Sequence, residues 1–448
     1  MIPWLAILLG IFIPLILIIL LILAFVYRKK IPFMKDVVSN RRKQDDAISP
    51  PPISTATLSK CIEDHKQSGE FNQLFMKLKG ISVTGLEHEY HLTKNAAEMN
   101  SSLNRYVDMV PYDQSLVMLG HPWPEITDNL KPQVEFSKLE TFYINASYIR
   151  RPRYSPNGGE ATIPGADTPP EYIATQGPLP DTVVDFLTMV CEQKSPLIVM
   201  LCLTEEKGKP KCSKYWPDKG SQDYSSSSRK VRVTLMGEEQ CENWCRRQLR
   251  IEIPDKAQTW DTTHIHFSNW PDYGAPPVEI FYNLVLAHVD VRKQYPLGLD
   301  YGPTIVHCSA GVGRTGTLIA GRFLLDQLRK NNQTTDIFGT VLALRKWRAN
   351  LVQATPQFQF LYEFVQYCLG RERGHQPLAL PRQAPPPPDT NNEGEYMNIV
   401  GSGKPNTTNG KFILRTIYHI SNSATLVVMF HCRLRLVRFS TSSRCVCL

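Results

Sequence analysis

The segment best suited to chemistry is a glycine-rich run in which a cysteine and an arginine stand six positions apart. Cys308 can act as a nucleophile, and Arg314 can grip an anion with its planar guanidinium group. Backbone amides between them can point at the same anion, and a following helix adds its positive N-terminal end. With the neighbouring His307 and Arg314, these features favour the thiolate and fit a dianionic phosphoryl group. The residues expected to form this cradle are Cys308, Ser309, Ala310, Gly311, Val312, Gly313 and Arg314, with His307 and Thr315 as supporting residues.

The elements that position this run are predicted to be a strand, a turn and a helix. The stretch from Pro303 to Val306 is short and β-branched, which is typical of a buried strand. From Thr317 onward apolar residues recur at i,i+4 spacing, as in Ile319 with Phe323, which predicts a helix. A strand–loop–helix turn around a cysteine makes this chain a phosphatase candidate.

Two other interpretations of the run are possible. Cys308 can be an ordinary buried thiol, with the glycines forming only a tight turn. Gly311, Gly313 and Gly316 also spell the dinucleotide-binding pattern G-x-G-x-x-G between a strand and a helix. That pattern needs an acidic residue about 20 positions on, at the end of a second strand. The nearest candidate, Asp336, follows a polar stretch instead, so the phosphate cradle is favoured.

The run from His307 to Gly316 resembles the signature loop of the tyrosine-specific protein phosphatases. Further segments match that family in the right order, and the similarity spans roughly Phe71 to Leu369. The Trp-Pro-Asp segment ending at Asp272 resembles the loop whose aspartate is the family's general acid. Gln357 matches the glutamine that positions water. The resemblance therefore implies a complete set of catalytic residues, which are Cys308, Asp272, Arg314 and Gln357.

Other matched segments concern substrate binding and support. Tyr106 and Asp108 resemble the loop that recognises phosphotyrosine, where Tyr106 can stack on the substrate ring. The alternative for Tyr106 is a core tyrosine with a satisfied hydroxyl. Glu206 and Lys211 match a loop that braces the active site, and Glu206 can hold the guanidinium group of Arg314. The resemblance implies a pocket too deep for phosphoserine or phosphothreonine.

The mechanism that the resemblance implies uses no metal and no cofactor. Cys308 attacks phosphorus while Asp272 protonates the leaving tyrosyl oxygen, a transfer that is typically worth about 10²- to 10⁴-fold. Gln357 then holds a water molecule, and the ionised Asp272 takes its proton. The alternative function is that of a catalytically weak member of the family, which binds phosphotyrosine proteins as a trap or adaptor.

The fold class expected is α/β (α+β), with a highly twisted mixed sheet flanked by helices in the cysteine-phosphatase fold. Val183, Leu187 and Val190 recur at helical spacing, and the apolar run 197–201 follows as a buried strand. The stretch from Arg150 to Pro170, rich in Pro, Gly and Ser, is expected to be an extra surface loop. The predicted domains are a transmembrane helix (1–27), a basic juxtamembrane segment (28–70), one phosphatase domain (71–372) and a Pro-rich, basic, largely disordered tail (373–448).

The start of the chain is predicted to cross a membrane. Residues 2–26 carry no charge, and a helix of that length spans roughly 37 Å, more than a hydrocarbon core of about 30 Å. The basic cluster 28–30 follows it, so the positive-inside rule puts the catalytic domain in the cytoplasm of a single-pass, plasma-membrane protein. Because Met1 then lies at the outer edge, essentially no ectodomain is expected. The chain is either a short anchored phosphatase or an isoform or partial form of a receptor.

The charge distribution agrees with this topology. The chain has a net charge of +8, with +6 in residues 28–43 and +7 in residues 397–448, which leaves −5 elsewhere. The positive flanks suit an anionic lipid bilayer, and the acidic body excludes nucleic-acid binding. Solvated linkers are the alternative for both basic runs. The 11 cysteines lack paired metal-ligand spacing, which favours reduced thiols.

Short recognition motifs are expected in the tail. Tyr396 follows acidic residues and is followed two positions later by Asn398, a pattern that SH2 domains of growth-factor adaptors prefer once the tyrosine is phosphorylated. Arg382, Pro385 and Pro388 fit a basic-plus-PxxP ligand for SH3 domains. The two sites together can engage one adaptor or dock a kinase.

Overall fold

The middle of the fold is a mixed sheet whose central strands have near-continuous apolar sequences. Every residue of Leu197–Met200 and of Thr304–His307 is buried, because both faces of these strands are covered. Both segments were expected to be buried strands, and the prediction is confirmed. The structure is a computed structural model, and it describes residues 49–124, 142–155, 159–165, 168–271 and 273–372.

The strands are numbered in chain order. They are β1 Ile53–Ser54, β2 Leu116–Met118, β3 Tyr143–Arg150, β4 Arg153–Tyr154, β5 Ala161–Thr162, β6 Pro170–Thr175, β7 Leu197–Met200, β8 Glu205–Glu206, β9 Lys209–Pro210, β10 Ser221–Ser225, β11 Lys230–Gln240, β12 Cys245–Ile253, β13 Gln258–His266, β14 Thr304–His307 and β15 Thr334–Thr335. The main sheet has the order β10-β11-β12-β13-β7-β14-β6-β3-β2. Pairs β13–β7, β7–β14 and β14–β6 are parallel, and the other pairs are antiparallel. The predicted mixed sheet is therefore confirmed.

The α-helices are also numbered in chain order. They are α1 Leu58–Ser68, α2 Glu70–Gly80, α3 Glu87–Glu89, α4 Asn95–Met99, α5 Val183–Glu192, α6 Val278–Gln294, α7 Gly313–Lys330, α8 Ile337–Arg345 and α9 Thr355–Glu372. A π-helical segment, Ile81–Leu86, joins α2 to α3. Short 3₁₀ turns lie at Ser101–Leu103, Asp113–Ser115, Pro180–Thr182 and Pro254–Lys256. The helix predicted from Val183, Leu187 and Val190 is α5.

Two groups of helices cover the sheet. Helix α5 packs on β10 to β13, whereas α7 packs on β6 and β14 and contacts α6, α8 and α9. The close approach of α7 to α6 requires a glycine, because a Cβ atom on Gly321 would lie 2.8 Å from the ring of Phe281. A loop of five residues, 308–312, joins the end of β14 to the N-terminal end of α7.

The region before Phe71 also packs on the domain. Leu58 and Ile62 of α1 are buried, and α1 contacts α2 and α9. Strand β1 pairs with β15 through Ile53 and Thr335. The domain boundary at Phe71 stays a prediction, although apolar packing of the described residues begins upstream of it.

The stretch from Arg150 to Pro170 contains a short hairpin, β4–β5, within its described part. The Tyr154 hydroxyl lies 3.0 Å from the hydroxyl of Thr340, and the Ala161 N–H donates to the Asp336 carboxylate at 2.8 Å. The expected surface loop is therefore fastened to the start of α8.

Several predicted features lie outside the described residues. They are the apolar segment 2–26, the basic run 28–43, the general-acid candidate Asp272, and the tail 373–448 with Arg382, Pro385, Pro388 and Tyr396. Across the described ranges, the helices are all too short or too polar to cross a membrane.

Candidate active site

Cys308 lies at the C-terminal end of β14, in the loop that leads into α7. Its side chain is only 5% exposed. The turn of this loop depends on Gly311, which has a φ of +71° and whose added Cβ would lie 2.1 Å from the Thr175 carbonyl oxygen. A side chain at position 311 would therefore be both strained and blocked. The loop thus has the strand–turn–helix geometry that the sequence predicted.

A cavity of 260 Å³ opens above Cys308. Its lining includes the predicted residues Tyr106, Asp108, Lys211, Cys308, Ser309, Ala310, Gly313, Arg314 and Gln357. It also includes three residues to which sequence reasoning gave no role, Met109, Tyr273 and Gln353. Glu206 and Lys211 line a neighbouring cleft with Tyr106 and Tyr273. The cavity lining does not include the predicted residues Gly311, Val312, Thr315 and His307, and their roles stay predictions.

The guanidinium group of Arg314 is held from behind by a carboxylate. Its two terminal nitrogens donate to Glu206 at 2.5 and 2.8 Å, and one of them also donates to the Leu201 carbonyl at 3.0 Å. Arg314 and Glu206 are 4% and 14% exposed, so this ion pair is poorly screened by solvent. The contact that the sequence predicted between Glu206 and Arg314 is present, and it fixes the plane of the guanidinium group.

A second buried arginine supports the loop from below. Arg348 donates to the carbonyl oxygens of Gly311 at 3.0 Å and Ala310 at 3.1 Å. Its other bonds go to Ser147 and Asn145 at 3.1 and 2.6 Å. These bonds turn loop carbonyls toward Arg348, which favours amides facing the cavity. Burial lowers the pKa of Arg348 to about 10, so the group stays positively charged at neutral pH and adds to the attraction for an anion.

His307 contributes position rather than charge. The side chain is fully buried, and burial lowers its pKa to about 3. Its Nδ1 lies 3.2 Å from the Cys308 carbonyl oxygen, and its Nε2 lies 2.8 Å from the Tyr215 hydroxyl. The expectation that His307 favours the thiolate stays a prediction, and because the imidazole is neutral at neutral pH, any such effect acts through hydrogen bonding rather than through a positive charge.

The rim of the cavity is formed by Tyr106 and its neighbours. The Tyr106 hydroxyl lies 3.1 Å from the Ser309 hydroxyl, and the ring remains 37% exposed. Arg105 anchors this loop, because its side chain donates to the carbonyls of Gly177 and Pro178 at 3.1 and 2.8 Å. The alternative of a core tyrosine does not fit, since the Tyr106 ring is open to the cavity.

Two glutamines meet at the side of the cavity. The Gln357 side-chain oxygen accepts the Gln353 backbone N–H at 3.0 Å. Gln357 is 1% exposed, whereas the Gln353 side chain is half-buried and also lines the cavity. Gln353 is therefore the more accessible amide, although the sequence pointed to Gln357.

The structure describes the residues on both sides of Asp272. Trp270 is buried, and its indole N–H donates to the Gly274 carbonyl at 3.0 Å. Tyr273 is exposed and lines the cavity. Asp272 itself lies outside the described residues, so its role stays a prediction. Within those residues, no cluster of His, Cys, Asp and Glu side chains has the arrangement of a metal site.

Fold and site together define the class of cysteine-dependent phosphatases, in which a thiol and an arginine share one anion-binding loop. The chain belongs to the protein-tyrosine phosphatase family, because the family model of that name matches residues 100–367. The predicted resemblance is confirmed.

Curated relatives support the same family. The chain is 31% identical over 341 residues to a tyrosine-protein phosphatase Lar-like of Caenorhabditis elegans, an alignment that covers 75% of this chain and 13% of that protein. It is 34% identical over 306 residues to receptor-type tyrosine-protein phosphatase eta of Gallus gallus, covering 66% and 19%. It is 37% identical over 286 residues to human receptor-type tyrosine-protein phosphatase H, covering 64% and 22%. The matched region thus spans about a fifth or less of these relatives.

Proposed function

We propose that this chain hydrolyses phosphotyrosine in proteins through a cysteinyl-phosphate intermediate. The observation that carries the proposal is the position of Cys308, whose thiol lies at a cavity lined by Arg314, itself braced by Glu206. Arg348 adds a second positive charge beneath the same loop. A nucleophile within an anion-binding loop suits phosphoryl transfer, in which catalysis comes mainly from positioning and electrostatic stabilisation.

The reaction then has two displacements at phosphorus. In the first, the Cys308 sulfur forms a bond to phosphorus as the bond to the tyrosyl oxygen breaks, and Asp272 gives that oxygen a proton. In the second, water attacks phosphorus, the sulfur–phosphorus bond breaks, and the Asp272 carboxylate accepts the proton of the water. Arg314 holds the phosphoryl oxygens in both steps. The products are tyrosine and inorganic phosphate.

Selectivity for phosphotyrosine is proposed from the depth of the site. The Tyr106 ring and Asp108 stand at the cavity lining above a thiol that is almost fully buried. A long aryl phosphate can reach Cys308 while its ring packs on Tyr106. The test is turnover of matched peptides carrying phosphotyrosine, phosphoserine or phosphothreonine by the full-length chain in the presence of a chelator. Binding of the phosphotyrosine peptide without turnover would instead favour a trap or adaptor.

In the second displacement we propose that the attacking water is held by Gln353, the more exposed of the two glutamines that line the cavity, rather than by Gln357. Replacing Gln353 by Ala should slow hydrolysis of the intermediate by roughly 10- to 100-fold, because misplacing the attacking water by about 1 Å costs that much. The phosphorylated enzyme should then accumulate, and rapid quenching followed by mass spectrometry measures its fraction.

The control for this prediction is Gln359→Ala. Gln359 is in α9, as Gln357 is, and its side chain donates to Glu363 at 3.0 Å without lining the cavity. This variant should show wild-type kinetics. Accumulation in Gln357→Ala but not in Gln353→Ala would return the water-positioning role to Gln357.

Membrane attachment through residues 2–26 is proposed from their uninterrupted apolar sequence and the basic residues that follow. The relatives named receptor-type are consistent with this proposal. A protease added to intact cells should then spare the phosphatase domain. Cleavage of the domain under those conditions would overturn the proposed orientation.

The tail motifs are proposed to recruit signalling partners. A peptide phosphorylated at Tyr396 should bind an SH2 domain of the growth-factor-adaptor type, because the arginine of such domains grips the phosphate. Asn398→Ala should weaken that binding sharply, as measured by calorimetry. Equal binding of the phosphorylated and unmodified peptides would refute the SH2 proposal. The SH3 proposal for Arg382, Pro385 and Pro388 fails if their replacement by Ala leaves SH3 binding unchanged.

A further inference from the structure

A buried chain of hydrogen bonds runs from the backbone of the nucleophile to strand β13. The Cys308 carbonyl oxygen lies 3.2 Å from Nδ1 of His307, whose Nε2 lies 2.8 Å from the Tyr215 hydroxyl. The same hydroxyl lies 3.0 Å from Nε2 of His264. His264, Tyr215 and His307 are each fully buried. The proton positions in this chain can therefore be deduced from the valence of each atom.

The deduction starts at the carbonyl oxygen, which can only accept. His307 must donate from Nδ1 to Cys308, and since its imidazole is neutral, Nε2 has no proton and must accept from Tyr215. Tyr215 has only one proton, so its oxygen accepts from the Nε2–H of His264. The other neighbour of the hydroxyl, the Met200 sulfur at 3.8 Å, is a weak acceptor that does not compete.

The ring of His264, at the far end of the hydrogen-bond chain, is consistent with these proton positions. If Nε2 of His264 carries the proton, then Nδ1 carries none. No hydrogen-bond partner for that Nδ1 is found among the described residues. A bare ring nitrogen is less costly there than a buried N–H without an acceptor would be. The pKa of His264 is lowered well below its usual range, chiefly by burial, so the ring is neutral.

We propose that His264 is a positioning residue for the nucleophile, acting on Cys308 through Tyr215 and His307. Each donor in the chain polarises the next, so His264 strengthens the bond that holds the Cys308 carbonyl. That bond offsets the partial negative charge of the carbonyl beside the sulfur and fixes the backbone from which the thiol projects. The inference rests on the proposed phosphatase function, in which Cys308 is the nucleophile. Its main measurement, the rate at which Cys308 is alkylated, does not require turnover.

Other titratable and charged groups surround this chain of hydrogen bonds, and they must be the same in every variant that is compared. Those that act on His264, Tyr215 or His307 are His266, Arg247, Arg105, Cys202, Cys212 and Tyr224. Replacement of His264 leaves all of them in place.

The experiment measures the rate at which iodoacetamide alkylates Cys308 in the full-length chain, followed by mass spectrometry of the peptide that contains it. His264→Phe removes the donor and should lower the rate by roughly 2- to 10-fold, as expected for loss of one hydrogen bond. His264→Gln keeps an N–H donor and should restore most of the rate.

Tyr215→Phe should lower the rate at least as much as His264→Phe. Adding His264→Phe to Tyr215→Phe should change nothing further, because the residues act in series.

A remote buried histidine provides the control. His288 is 3% exposed and stacks on Tyr172, and it takes no part in the hydrogen bonds that link His264 to Cys308. His288→Phe should leave alkylation of Cys308 unchanged, whatever it does to the melting temperature. If His264→Phe does not fold, His264→Met takes its place as the variant without a donor.

Three results would overturn the proposal. They are a wild-type alkylation rate in the variant without a donor, additive losses in the double variant, and a loss in His264→Gln as large as in His264→Phe. Turnover of a phosphotyrosine peptide is measured in parallel. If the wild-type chain shows no turnover while the alkylation pattern holds, the proposed function fails and the positioning role of His264 stands.

Discussion

Replacing Cys308 by Ser should abolish turnover of phosphotyrosine peptides, a fall of about 10⁴-fold or more. A serine hydroxyl is a far weaker nucleophile at neutral pH than a thiolate, and the surrounding cations cannot compensate. Arg314 and Arg348 remain in place, so the variant should still bind the peptide. The measurements are steady-state kinetics for turnover and calorimetry for binding.

The matched control is Cys241→Ser. Cys241 is a half-buried free thiol at the turn between β11 and β12, outside the cavity above Cys308. This variant should turn over substrate at the wild-type rate. Retained activity in Cys308→Ser would show that another group is the nucleophile and would remove the cysteinyl-phosphate proposal.

Replacing Asp272 by Ala should slow turnover of phosphotyrosine peptides by roughly 10²- to 10⁴-fold, the usual contribution of a positioned acid. The tyrosyl oxygen is a poor leaving group without a proton, so the first displacement is the step affected. Because a general acid must be protonated to act, activity falls as its proton is lost with rising pH. The Asp272→Ala variant should lack that fall.

The leaving group sharpens this test. An aryl phosphate whose phenol is more acidic needs less help from a proton donor, so its turnover should fall much less in Asp272→Ala than that of a phosphotyrosine peptide. Asp290→Ala is the control, since Asp290 is an exposed residue of α6 that forms an ion pair with Lys293 on the same helix. Equal losses on both substrates would point to damage to the site rather than to loss of an acid.

The sequence was sufficient to predict the catalytic loop. The β-branched run before Cys308 and the helical spacing after it became β14 and α7, although α7 begins at Gly313 rather than near Thr317. Local patterns sufficed here because the glycines, the strand and the helix are contiguous. Glu206 was found through resemblance, and its bond to Arg314 is present in the structure.

Residues that act through burial could not be predicted in this way. Arg348 and Arg345 are almost fully buried, yet in the sequence they look like the charged face of a helix end. The neutral state of His307 likewise depends on burial by residues distant in the chain. Gln353 was passed over because only the structure shows that it, as well as Gln357, lines the cavity.

The proposed function depends on a covalent bond between Cys308 and phosphorus. The direct measurement is a rapid-quench reaction of the full-length chain with a phosphotyrosine peptide in chelator, followed by mass spectrometry of the peptide that contains Cys308. We expect the mass of one phosphoryl group on Cys308 within the first turnover, and none in the Cys308→Ser variant. Turnover without a phosphorylated Cys308, or turnover only when a divalent metal is added, would contradict the mechanism.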